Sequence, residues 1–145
     1  MRRCNNGATV GGAQGGTTVF SGFFGTCTAG NATIINNGGT VSPGDDAPGT
    51  LTVNNNYTQG SNGRLLIDIA GPNAGEFSVL DVLGNANLDG ILHPVLLNGF
   101  IPTVGESFTF LDYTALTGTF PGLRPSLSTT SLSNGQSPTM LRMRP

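Results

Sequence analysis

One punctuation mark recurs along this chain. Five times a glycine stands directly before a run of strand-forming residues: Gly39-Thr-Val, Gly49-Thr-Leu-Thr-Val, Gly63-Arg-Leu-Leu-Ile-Asp-Ile, Gly90-Ile-Leu-His-Pro-Val-Leu and Gly118-Thr-Phe. In the first three an apolar residue sits two places after the glycine, and at four and six where the run lasts. That period of two is the signature of a strand with one buried face. The glycines are 10, 14, 27 and 28 residues apart, and the first two intervals sum to 24, so the unit recurs about every 24 to 28 residues. Recurrence on that scale points to a repeat architecture. One coil of a parallel β-solenoid, three short strands and their corners, needs roughly 20–30 residues at about 3.3 Å per strand residue. An antiparallel sandwich, with strands every ~8–12 residues, is the alternative. The pattern favours the solenoid.

Composition agrees with an all-β chain. Gly, Thr and Asn make up more than a third of the 145 residues, and there is no Lys, no Trp and only two Glu. Threonine favours pleated strands, while Gly and Asn tolerate positive φ and mark turns. Charged residues are 10% of the chain, well below the ~25% of an average soluble domain. Six Arg and eight acids are scattered, adjacent only at Arg2-Arg3 and Asp45-Asp46, for a net charge of −2. No basic stripe is present to neutralise phosphates, so a nucleic-acid partner is not expected. No apolar run approaches the ~18 residues of a membrane-crossing helix, and no membrane span is expected. The opening MRRCNNGATVGG lacks the apolar stretch of a signal peptide.

Strands are predicted at Thr17–Phe20, Ala32–Ile35, Thr50–Val53, Arg64–Ile69, Phe77–Leu83, Ile91–Leu97 and Ser107–Leu111, with at most one more at Thr139–Met143. Turn signals such as Asn37-Gly38-Gly39, Pro43-Gly44, Asn62-Gly63, Asp89-Gly90 and Asn98-Gly99 separate them. Val41, Leu51, Val53, Leu65, Ile67 and Ile69 are expected to point inward, each contributing on the order of 1.5–3 kcal/mol on burial. Thr52, Thr58, Arg64 and Asp68 are expected to face water.

Four segments, VSPGDDAPGTLTVNNNYTQ (41–59), GRLLIDIAG (63–71), LDVLGNANLDGIL (80–92) and LLNGFIPTVGESFTFLDYTALTGTF (96–120), together resemble the late part of autotransporter and adhesin passenger domains. The resemblance covers roughly residues 30 to 121. It implies a right-handed parallel β-helix on a bacterial surface, whose C-terminal portion helps nucleate folding and caps the helix end. By this reading residues 1–30 are an N-terminal coil, 31–95 the β-helix coils, and 96–145 terminal cap strands and an irregular tail. The partners implied are other coils of a longer β-helix chain and host-surface or matrix glycans, with the protein secreted or displayed at the cell surface.

Little in the sequence bears chemistry. His93 is the only histidine and sits at an outward strand position with no second ligand nearby in sequence. Asp45-Asp46 and GNANLDG (84–90) lack the spacing of a calcium loop and are read as corners. Asp68, Asp81, Asp89 and Asp112 would be the carboxylates of a polysaccharide-cleaving enzyme if the register aligned them, since glycoside hydrolysis needs a pair about 5–5.5 or 6.5–9.5 Å apart. No catalytic residue, cofactor or metal ligand is expected. Cys4 and Cys27 lie 23 residues apart, near one coil, and stacked coils would bring their Cα atoms to about 4.8 Å, inside the disulfide range; a bridge and two buried thiols both remain open. Asn31 and Asn56 match the glycosylation sequon, without consequence in a bacterial host. The phenylalanines and Tyr57 and Tyr113 are expected in the core, rather than on a sugar-stacking platform. The expectation is a structural or adhesive segment; the alternatives are a lyase or hydrolase on the same scaffold, and a small glycan-binding β-sandwich.

Overall fold

The computed structural model describes residues 10–11, 26–28, 33–44, 47–103, 106–123, 127–131 and 139–143, with side chains over 33–44, 47–103 and 106–121. The expected strand at Thr17–Phe20 and the residues Asp45 and Asp46 lie outside them. The protein is all-β, with no helix among the described residues, and hence none long and apolar enough to cross a membrane. In chain order the strands are β1 (Val10–Gly11), β2 (Thr26–Thr28), β3 (Ile34–Asn36), β4 (Thr40–Val41), β5 (Thr50–Val53), β6 (Tyr57–Gln59), β7 (Arg64–Ile69), β8 (Val79–Leu88), β9 (Ile91–Leu96), β10 (Ser107–Gly118), β11 (Gly122–Leu123), β12 (Leu127–Ser131) and β13 (Thr139–Met143).

These strands pair in parallel along three columns. The first runs β2, β5, the front half of β8 and the middle of β10. The second runs β1, β3, β6, the rear half of β8 and the rear of β10. The third runs β4, β7, β9 and β11 as a separate sheet. Registers in the third column step from Thr40 to Arg64, from Arg64 to Ile91 and from Ile91 to Gly122, offsets of 24, 27 and 31. In the second they step from Ile34 to Tyr57, Tyr57 to Ala86 and Ala86 to Leu116, offsets of 23, 29 and 30. The unit therefore lengthens along the chain, past the 24–28 expected, because the chain takes a loop at 70–78 and another that includes 97–103. Antiparallel pairing between described strands is confined to β10–β13 and β12–β13. A hairpin-built sandwich is not what residues 34–118 form.

The period-two pattern places the core. Val41, Leu51, Val53, Leu65, Ile67 and Ile69 are all buried. Registered neighbours repeat chemistry, as in Val41–Leu65–Leu92 and Leu51–Leu80–Leu111. Tyr57, the largest of its row, lies between Ile34 and the small Ala86. Phe77 and Phe100 meet Phe108 edge-on at 5.6 and 6.1 Å, and Phe110 lies 6.4 Å from Phe120, so these aromatics fill the interior beside β10.

Three expectations need correction. Asp68 does not face water but is buried, because the chain beyond β7 folds back: Ile69 bridges Phe77, and the Ser78 hydroxyl accepts the Asp68 N–H at 3.3 Å. Gly118 closes a strand instead of opening one; it has φ +78° and abuts the Leu88 carbonyl, where a Cβ would collide. Residues 85–88, read as a corner, are strand, because Ala86 and Leu88 turn inward while Asn85 and Asn87 face out. The other four glycines do precede strands. Gly63 sits against the Asn36 carbonyl, with only 2.5 Å left for a Cβ, so a side chain there would break the close approach of successive corners.

In β9 the odd positions bond to β7, since Ile91 N–H donates to Gly63 and Leu97 N–H to Ile69. Even positions face the opposite edge. There β11 registers with Ile91 and Leu92 only, and the next residue presented to that side is Pro94, which has no N–H.

Candidate functional site

Of the four candidate carboxylates, the register brings two together. Asp81 on β8 and Asp112 on β10 are direct partners, with Thr52 of β5 next in the same outward row. The alternation that buries Leu80, Val82, Leu111 and Tyr113 leaves the two aspartates half-exposed on one face. The Thr52 hydroxyl donates to the Asp81 Oδ2 at 3.5 Å, a long bond. Burial, and then the negative charge of Asp81, push the Asp112 carboxyl above its ordinary range. Beside the pair lies a shallow groove of about 280 Å³ lined by Asp81, Val82, Leu83, Asp112, Tyr113 and Thr114. A one-residue irregularity between Tyr113 and Ala115 shapes it, and the Thr114 hydroxyl closes one side by donating to the Leu83 carbonyl at 2.7 Å. The two carboxyl groups stand side by side on one sheet face, not opposite each other across a cleft.

The remaining candidates are dispersed. Asp68 is buried in the other sheet. Asp89 turns the corner before β9, its Oδ1 accepting the Gly90 N–H at 2.7 Å. His93 is half-buried in mid-β9, in register with Leu66. Arg64 is exposed at the start of β7. Cys4 lies outside the described residues, and Cys27, in β2, is in register with Leu51. Among the described residues no three His, Cys, Asp or Glu side chains gather where they could hold a metal ion.

Two polar features escaped sequence reasoning. The first is a buried amide ladder. Asn36 and Gln59, the last residues of β3 and β6, are in register in the second column and both are 2% exposed. Asn36 accepts the Gly39 N–H at 2.8 Å and donates to the Arg64 carbonyl at 3.1 Å. Gln59 Nε2 reaches the carbonyls of Asp89, Ile91 and Gly63 at 2.8, 3.2 and 3.3 Å. Tyr57 donates its hydroxyl to Gln59 Oε1 at 2.6 Å. Burial raises the Tyr57 phenol well above its usual range, and a hydrogen bond with Asn36 offsets only part of that. The second is a repeated loop, Pro72-Asn-Ala-Gly-Glu76 and Pro102-Thr-Val-Gly-Glu106, which uses both glutamates of the chain. In each, the glutamate Oε2 accepts the N–H three residues back at 2.9 Å, and the glutamate N–H returns to that residue's carbonyl. The shared Pro-x-x-Gly-Glu spacing of 30 residues was the signal that could have revealed it.

Columns of parallel strands, apolar inside and Thr-, Asn- and Asp-bearing outside, define the class: an all-β protein of stacked parallel strands. Against known proteins, no family model matches the chain and no curated protein matches it.

Proposed function

We propose that this chain is a segment of a right-handed parallel β-helix whose role is shape: a structural or adhesive part of a secreted or surface-exposed bacterial protein, similar to an autotransporter passenger stalk with its C-terminal portion as cap. The observation that carries this reading is the common direction and repeating register of all three columns. A solenoid needs that arrangement, and each repeat then contacts its neighbours alone. The buried amide ladder supports it too, because stacked corners must satisfy their own carbonyls. Adhesion would use the outward rows, where Thr58, Asn87 and Thr117 follow one another in register.

The alternative, a lyase or hydrolase, has one argument in its favour, the Asp81–Asp112 pair. Glycosidase carboxylates flank the scissile bond; here both occupy the same wall. The test is incubation with a panel of acidic and neutral polysaccharides, reading new reducing ends and unsaturated products, alongside retention of the labelled protein on the same glycans immobilised. Retention without cleavage, or neither, is the expected result. Cleavage that disappears in Asp112→Asn would overturn the non-catalytic reading.

A further inference from the structure

We propose that the contact between β8 and β10 is an acid-tightened seam, in which protonation at the registered Asp81–Asp112 pair removes a like-charge repulsion and so holds β10 on β8 more firmly in mildly acidic solution than at neutral pH. This goes beyond the shape-based role and does not depend on it.

The argument starts from register. Asp112 is paired with Asp81 itself, not with a diagonal neighbour, in a parallel ladder whose strands lie about 4.8 Å apart. Like charges directly opposite each other on neighbouring strands are destabilising. Among the described side chains no cation pairs with either carboxylate. Below Asp81 stands Thr52, a neutral hydroxyl at 3.5 Å. Beyond Asp112 on its own strand come Tyr113 and Thr114, and Thr114 is committed to the Leu83 carbonyl. On β13 the charged residue is Arg142, whose register partner is Ser107, five positions before Asp112. Glu106, just ahead of β10, is acidic and already accepts the Thr103 N–H.

Above the carboxylate range both groups are ionised and repel across the seam. As pH falls, one proton is taken up from solvent, the repulsion ends, and the protonated carboxyl can donate to its partner. Burial and the Asp81 charge raise Asp112, in the direction this requires.

Opening of β10 is the event to measure. Amide hydrogen exchange over residues 107–118, divided by that over β7 in the same molecule, cancels the intrinsic pH dependence of exchange. The ratio should fall by a factor of about 1.4 to 5 from neutral to mildly acidic pH, the range of one cross-strand charge pair. Asp112→Asn and Asp81→Asn, nearly isosteric, should each hold the ratio at its acidic value throughout. A ratio independent of pH in the parent protein would overturn the proposal, as would a pH dependence that survives in both variants.

Discussion

Gln59 shows what one side chain does at a corner. Its amide satisfies carbonyls from two successive corners, those of Gly63 and of Asp89 and Ile91, while its oxygen takes the Tyr57 hydroxyl. Removing it leaves buried acceptors without that donor, at about 1–3 kcal/mol. Gln59→Ala should therefore lower the unfolding free energy by that amount, seen as a lower urea midpoint with an unchanged slope. Tyr57 gives a pH signature. Its folded-state phenol is raised, so its stabilising contribution is complete below the ordinary tyrosine range and is lost as pH rises through the folded value. The parent protein should lose stability on entering the alkaline range above the usual tyrosine titration. Tyr57→Phe should remove that slope, and an unchanged slope would assign it elsewhere.

At the scale of elements, the strands that alternate cleanly were legible in the sequence. β5 and β7 have the expected bounds, since Leu51, Val53, Leu65, Ile67 and Ile69 mark the inner face without interruption. The rear halves of β8 and β10 were not legible, because Asn85 and Asn87 are turn-type residues placed outward on a strand, and the adjacent apolar Ala115 and Leu116 break the period of two in β10. Their strand state comes from partners in register, not from local preference. The two Pro-x-x-Gly-Glu loops are local devices inserted between columns, each held by its own glutamate. Glu76→Ala should cost about 0.5–1.5 kcal/mol, the worth of an ordinary hydrogen bond, and should increase proteolytic nicking between 70 and 77. Glu106→Ala should do the same at 97–106. Loss of all β structure in either variant would mean the loops act as more than clasps.

For the whole molecule, the decisive prediction concerns modularity. If each repeat contacts only its neighbours, duplicating residues 64–90, one 27-residue register step of the third column, should give a chain that folds and gains strand content in proportion. Its circular dichroism and cooperative melt would show this. Aggregation of the duplicated chain would count against a solenoid. By itself the amino-acid order determined the class and the inward face: scarce helix formers, glycine-led runs and period-two apolar residues leave only strands with one buried side. It also implied the repeat, though not its lengthening, since an inserted loop alters spacing without altering pattern. Only the tertiary structure decided which polar residues belong inside and which acids meet. Burial of Asp68 depends on a chain segment folding back over it, and the contact of Asp81 with Asp112 depends on a register set 31 residues away. Both are consequences of pairing between distant segments, which no local window contains.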